Sequence, residues 1–315
     1  MSIEDVRKII DFHHRSALPI ISLLGGEPTL HPEFSRIIDM CIDAGLSIRL
    51  FTGGIVPTKA KEKLQSLSPK QLSIITNISA PEHCRSEQEY DASVQSLKDL
   101  AAYTVVGYTL FDMDTDPEFL QELVLSTGCH RSIRLGLTMP GPNDSTCLLP
   151  PVRYRDAASW ILRLARSCDK HDISLGFDCG FTMCMFTPDE LGELAYLGCM
   201  TRFLCCPIID VGPDLSVWSC FATSTLDRTH LDEHKKRQDL VDFFTQRQRA
   251  YRTFGVYDHC HTCKHKRRGL CAGGCLAHVI RSFSGRNAVM STEKQKHSAE
   301  MNRTGKTNTP EQKRS

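Results

Sequence analysis

No stretch of this chain approaches eighteen uninterrupted apolar residues, so the sequence offers no candidate for a membrane-spanning helix. The amino-terminal MSIEDVRKII lacks the apolar core of a secretion signal, and the expected location is cytoplasmic, with no membrane partner. Net charge is nearly absent too. Lys plus Arg number 38 against 37 Asp plus Glu, a formal +1, so nucleic acid is not the expected partner. No internal repeat of fixed period is present, which argues against a solenoid or a propeller. What remains is 315 residues, 41% hydrophobic and 24% charged, the balance of an ordinary globular protein of one large domain or two smaller ones.

Cysteine is the residue in excess, with fifteen in the chain. That is below the density of a secreted disulfide scaffold, and in a reducing compartment such cysteines are metal ligands, catalytic groups or small buried hydrophobes. Cys41, Cys84, Cys129, Cys147 and Cys168 are scattered singly, whereas the other ten lie between Cys179 and Cys275. The second stretch is therefore a chemical region of its own.

Before that region, helix-like and strand-like segments alternate. Helices are expected over 3–15, 33–44, 58–67, 91–101, 117–125 and 154–171, and strands over 20–24, 47–51, 71–77, 103–110, 132–138 and 173–177. Six strands alternating with six helices through short polar loops predict a parallel α/β architecture over residues 1–180. The units are too few for a closed eight-fold barrel, so a partial barrel or an open sheet is expected. After Phe181 the alternation is expected to stop, leaving a cysteine-rich unit over 181–280 with a short strand at 215–218 and a basic helix at 232–251. From Arg228 to Arg268 there are eleven Lys/Arg against five Asp/Glu, read as a solvated face near a metal site. Residues 281–315, poor in large apolar side chains, are expected to form a disordered basic tail.

Two motifs carry chemistry. Cys260-His-Thr-Cys263, then Cys271-Ala-Gly-Gly-Cys275, can set four thiolates around one centre or share them between two. Upstream lie Cys179, Cys184, Cys199, Cys205, Cys206 and Cys220. Thiolate spacing alone does not separate zinc from iron–sulfur. The other motif is Leu24-Gly25-Gly26-Glu27-Pro28-Thr29-Leu30-His31-Pro32, after a buried strand and ahead of a helix. In a parallel sheet the ligand crevice lies at the carboxyl ends of the strands, where this loop falls. Exposed backbone there suits a charged amino-acid moiety, although an ordinary tight turn would use the same residues.

The loop Gly25-Gly26-Glu27-Pro28 resembles the GGEP motif of radical S-adenosylmethionine (radical SAM) enzymes, and the cysteine-rich region is similar to the SPASM extension of that superfamily. The resemblance covers residues 1 to about 278. It implies a partial (β/α) barrel of the radical SAM type, S-adenosyl-L-methionine and 4Fe-4S clusters as cofactors, a peptide or protein substrate and an electron donor. It implies that Gly25, Gly26, Glu27 and Pro28 bind the methionine amine and that Asn77, at a strand end, contacts the ribose. Cys206, Cys220 and Cys275 would hold one auxiliary cluster, with Cys199 or Cys205 as fourth ligand, and Cys260, Cys263 and Cys271 would hold another. Asp178 is a weak candidate for a general base; an Asp at a strand end is more often a hydrogen-bonding cap.

The chain also departs from the pattern. No CxxxCxxC, the motif that holds the SAM-cleaving cluster, occurs in the 315 residues. Its first strand and loop would precede Met1, so the expectation is a barrel missing its first strand. The spacing CX2CX7CX3C has no cysteine after Cys275 to serve as a last ligand, which leaves Cys179 or Cys184 as substitutes, or one cluster incompletely ligated. A non-catalytic iron–sulfur or zinc-binding protein is the alternative reading.

Overall fold

The computed structural model describes residues 1–141, 148–205 and 208–283. Helix α1 (Ile3–Arg15) opens with a capping box: the Ser2 hydroxyl accepts from the Asp5 amide at 3.1 Å, and the Asp5 carboxylate accepts from the Ser2 amide at 2.9 Å. Val6 and Ile10, four residues apart, turn one face inward. Strand β1 (Ile20–Leu23) follows, then α2 (Phe34–Asp43), β2 (Ser47–Thr52), α3 (Thr58–Gln65), β3 (Leu72–Asn77), α4 (Glu87–Asp99) and β4 (Thr104–Leu110). The series continues with α5 (Glu118–Thr127), β5 (Ser132–Leu137), α6 (Tyr154–Lys170) and β6 (Ser174–Phe177). All five pairings are parallel and the strand order is sequential, β1 to β6, as the alternation predicted.

The side-chain period of two sorts each strand into two faces. On one face Ile21, Ile48, Leu50, Ile74, Val106, Tyr108, Ile133, Leu135 and Leu175 are buried beneath the helices, in two apolar cores. The register places Ser22, Arg49 and Ser73 in one row of the other face, and Asn77, Gly107, Arg134 and Gly176 in another. The Arg134 guanidinium lies 5.2 Å from the Phe51 ring centroid. Those residues belong to strands three places apart, roughly 14 Å along a flat sheet, so the contact requires the sheet to curl with this polar face inside. The architecture is α/β, a partial barrel with a polar concave face.

The alternation does not end at Phe181, contrary to expectation. A capping box on Thr187 starts α7 (Pro188–Tyr196), and Met185, Phe186 and Leu194 join the same core as β4–β6. Met200 then bridges in parallel to Gly176 on the outer edge of β6. Beyond it a small antiparallel sheet forms from β7 (Ile209–Val211), β8 (Ser216–Ser219) and β9 (Thr229–His230). Helix α8 (Arg237–Arg252) starts five residues later than expected, because residues 231–233 make a separate 3-10 turn. Leu215, Val217, Leu231, Leu240 and Phe244 form a third core with Phe12 of α1. At the other end Val256 and Tyr257 pack on the β4–β6 core, and the Tyr257 hydroxyl donates to the Pro151 carbonyl at 2.8 Å. The cysteine-rich region thus reaches from the first helix to the last strand of the barrel.

The tail expectation needs a later start. Residues 276–283 are helical, and Phe283 packs edge-on against Tyr251 and Phe254. The remainder of the expected tail, with Cys147 and Cys206, lies outside the described residues. Among the described residues no helix is long and apolar enough to cross a membrane.

Candidate cofactor and metal sites

The glycine loop leaves β1 at the carboxyl-terminal rim of the sheet. Gly25 and Gly26 adopt φ of +90° and +55°, a region that side-chain-bearing residues rarely enter, and nothing lies within 4 Å of where a Cβ would sit on either. Their backbone therefore faces open space. Glu27 turns the other way. One carboxylate oxygen accepts from the Thr29 amide at 3.1 Å and the Thr29 hydroxyl at 2.6 Å. The other accepts from the Thr52 hydroxyl at 2.7 Å and the Gly53 amide at 2.9 Å. Four donors occupy the lone pairs of one carboxylate, which fastens the loop to the end of β2. Pro28 begins the 3-10 turn behind it.

Asn77 is exposed at the end of β3, opposite Gly107 of β4. A Cβ on Gly107 would lie 2.5 Å from the Asn77 Oδ1, so this glycine gives the amide its place. Asp178, just past β6, accepts from the Arg134 Nη2 at 2.6 Å, and both side chains are about 30% exposed, at 29% and 31%. One oxygen of its carboxylate is therefore held by the Arg134 cation. A cavity of about 490 Å³ opens nearby, lined among others by Val105, Ser132, Arg134, Gly176 and Met200. The Ser-Ile-Arg-Leu-Gly-Leu alternation of β5 already carried the signal for Arg134, which the sequence reading passed over.

The thiols of the cysteine-rich region fall into two neighbourhoods. Burial pushes Cys179 up to about 12, and the nearby charges of Asp178, Cys220 and Cys205 add to the effect. Cys220 is pushed up to about 11 by burial, then by Asp210 and Cys205. Cys275 rises well above the ordinary thiol range, again through burial first and then Cys205, Cys220 and Cys179. In the second neighbourhood, burial raises Cys260, with contributions from Cys271 and Cys263. Cys184 is raised by desolvation and then by Cys260 and Cys271. Lys266 stands by this group, its ammonium donating to the carbonyls of Arg252 and Ala272 at 2.9 and 2.7 Å.

Of the residues expected to ligate metal, Cys205 and Cys220 thus lie within electrostatic reach of Cys275, and Cys263 and Cys271 within reach of Cys260. Cys199 is not among them: burial, then Asp169, pushes it up to about 11, and it packs on the barrel core beside Cys168. Among the described residues, no three His, Cys, Asp or Glu side chains converge where a single metal ion would sit.

No family model matches the chain, and no curated protein matches its sequence. Solved structures do match in fold. SuiB of Streptococcus suis bound to S-adenosylmethionine superposes with a TM-score of 0.62 over 88% of this chain and 67% of that one, at 13% identity. The native anSMEcpe with bound AdoMet and Cp18Cys peptide gives 0.61 over 90% and 87%, at 16% identity. SuiB bound to the precursor peptide SuiA gives 0.60 over 88% and 66%, at 12% identity. The fold is the partial α/β barrel that these solved structures share.

Proposed function

We propose that this chain is a radical SAM-type iron–sulfur protein with a SPASM-like cysteine-rich region, acting on a peptide or protein substrate and served by an electron donor. The observation that carries the reading is the open Gly25-Gly26 backbone at the carboxyl-terminal rim of a polar, concave parallel sheet. Of the three matching structures, SuiB in one and anSMEcpe in another hold S-adenosylmethionine, anSMEcpe together with a peptide, and SuiB in the third holds the precursor peptide SuiA. The residues here suit that cofactor. Gly25 and Gly26 offer backbone groups to an ammonium, Glu27 and Pro28 hold the loop in shape, and Asn77 stands three strands into the sheet as a partner for a ribose hydroxyl. The peptide would enter the concave face beside Arg134 and Asp178.

Bound S-adenosylmethionine, with an electron from a reduced cluster, supplies hydrogen-atom abstraction from the substrate. This chain's part is to position the cofactor and to keep water from the reacting face. The thiols suit iron–sulfur clusters, being near one another without gathering at one point, whereas four thiolates on zinc stand only about 3.8 Å apart given its bond length. The absence of CxxxCxxC favours a second reading, a non-catalytic iron–sulfur protein that binds S-adenosylmethionine without cleaving it.

Titration calorimetry of the anaerobically reconstituted chain with S-adenosylmethionine tests the reading. Binding that is abolished in Gly26→Val, with iron and acid-labile sulfide present, is the expected result. No binding and no iron uptake would sink it. A strong reductant separates the two readings: with no CxxxCxxC, the 315-residue chain by itself should release no 5′-deoxyadenosine above background, as the second reading has it, and robust release would show that another set of cysteines holds a cleaving cluster and favour the first.

A further inference from the structure

We propose that Cys184 completes a thiolate site with Cys260, Cys263 and Cys271, that Cys179 joins Cys205, Cys220 and Cys275 at a second, and that each site holds an iron–sulfur cluster. The proposal rests on the iron–sulfur reading above and deepens it by assigning the ligands that the cysteine spacing leaves open. The sequence left Cys179 or Cys184 as substitutes for a missing last ligand, without assigning either to a particular cluster.

The geometry is that of two segments running past each other. After β6 the chain passes through Gly180, at φ +100°, and a Cβ there would lie 3.8 Å from the Cys275 Cβ. Two residues on, the Thr182 Cγ2 is 3.2 Å from where a Gly274 Cβ would sit. Residues 180 and 182 therefore stand against 275 and 274, so the 179–184 segment ascends as the 271–275 turn descends. Cys179 falls at the Cys275 end and Cys184 toward the Cys271 end. The Cys184 thiol is held back against the Thr182 hydroxyl at 3.6 Å. Charge neighbours agree: Cys184 senses Cys260 and Cys271, whereas Cys179 senses Cys205 and Cys220.

The backbone around the turn is fixed from both sides. The Ala272 amide donates to the Phe203 carbonyl at 2.7 Å, the Val256 amide to the Gly273 carbonyl at 2.8 Å, and Arg252 to the Cys205 carbonyl at 3.2 Å. The Gly273 amide already points at the Cys271 sulfur at 3.3 Å, the kind of N–H···S contact that tunes a cluster. Cys199 has no place in either set, since it lies beside Cys168 and Asp169 on the barrel core.

The test measures iron and acid-labile sulfide in the full chain, reconstituted anaerobically, with circular dichroism as the control for folding. Cys184→Ala and Cys260→Ala should each lower both to about half of the unmutated level, and the double variant should go no lower. Cys184→Ala combined with Cys179→Ala should remove nearly all, and Cys199→Ala should change nothing. Alkylation of the unmutated chain gives a reading that needs no variant to fold. Cys184 is exposed, so iodoacetamide at alkaline pH, where its raised thiol ionises, should label it in the metal-free chain and much more slowly after loading. Full iron in Cys184→Ala, or equal labelling of Cys184 before and after loading, overturns the assignment while leaving the iron–sulfur reading standing. An unmutated chain that takes up no iron and sulfide overturns both.

Discussion

Glu27 shows how a residue legible as functional can act by holding something else. The Gly-Gly-Glu-Pro string marked the loop in the sequence, but the partners of the carboxylate, Thr29, Thr52 and Gly53, come from two separate segments and are visible only in the fold. Glu27→Gln replaces one acceptor oxygen by a donor and strands the groups that faced it. It should cost about 1–3 kcal/mol, read as a lower urea midpoint, and weaken S-adenosylmethionine binding along with it. An unchanged midpoint would mean that the loop is braced elsewhere. His278 carries a prediction of a different kind. Its ring is buried, 6.3 Å from the Tyr154 centroid, and Nε2 has no hydrogen-bond partner among the described residues. Burial, with Arg281 nearby, pushes it down to about 4. The unfolded chain therefore takes up a proton near pH 6.5 that the folded chain refuses until about pH 4. This depressed group contributes stability present above pH 6.5 and lost as pH falls through that window, on the order of 3 kcal/mol. His278→Phe should flatten the loss between pH 6.5 and 4 in denaturant titrations of the metal-free chain, and a slope identical to the parent would refute it.

Among the elements, those with a buried apolar face were the readable ones. All six barrel strands were found from their apolar runs, because β2 to β5 bury alternate residues under helices. Boundaries drifted where side chains cap: α4 begins at Glu87 rather than 91 because Ser86 accepts from the Glu89 amide. Helix α7 departs from the expectation: Thr187-Pro188-Asp189-Glu190 is a local capping-box signal, but the surrounding cysteines and methionines give no apolar period beyond it. Strands β7 and β9, three and two residues long, are too short for periodicity to register. Helix α6 supplies the sharpest test at this scale. Trp160 is buried, stacks on Tyr108 at 5.7 Å and donates from its indole to the Thr115 carbonyl at 2.7 Å. Trp160→Ala should cost about 3–5 kcal/mol by denaturant unfolding. A loss under about 1 kcal/mol would contradict the packing derived for β4, α5 and α6.

At the scale of the whole molecule, the sequence pointed to a cysteine-rich region suited to metal but not to how its thiols divide. Sorting them depends on residues 179–184 meeting residues 271–275, almost a hundred positions apart, and no local spacing encodes that. The division also gives the molecule a property that neither unit has alone. A cluster gripping Cys184 and Cys260 is a cross-link that closes a loop of about 76 residues, and by the chain-entropy argument for disulfides such a closure removes about 4 kcal/mol of freedom from the unfolded chain. Iron would then act as a clasp on the segment that carries β7–β9 and α8, while the barrel stands on its own cores. Trypsin should report this directly. The metal-free chain should be cut among the eleven basic residues from Arg228 to Arg268 and leave a barrel fragment intact, and the loaded chain should resist. Identical cleavage in both states would mean the clasp is absent. Where the clasp holds, oxygen that dismantles the clusters does more than silence chemistry: it releases a tether, and the protein's lifetime in a cell becomes a readout of how well its iron is protected.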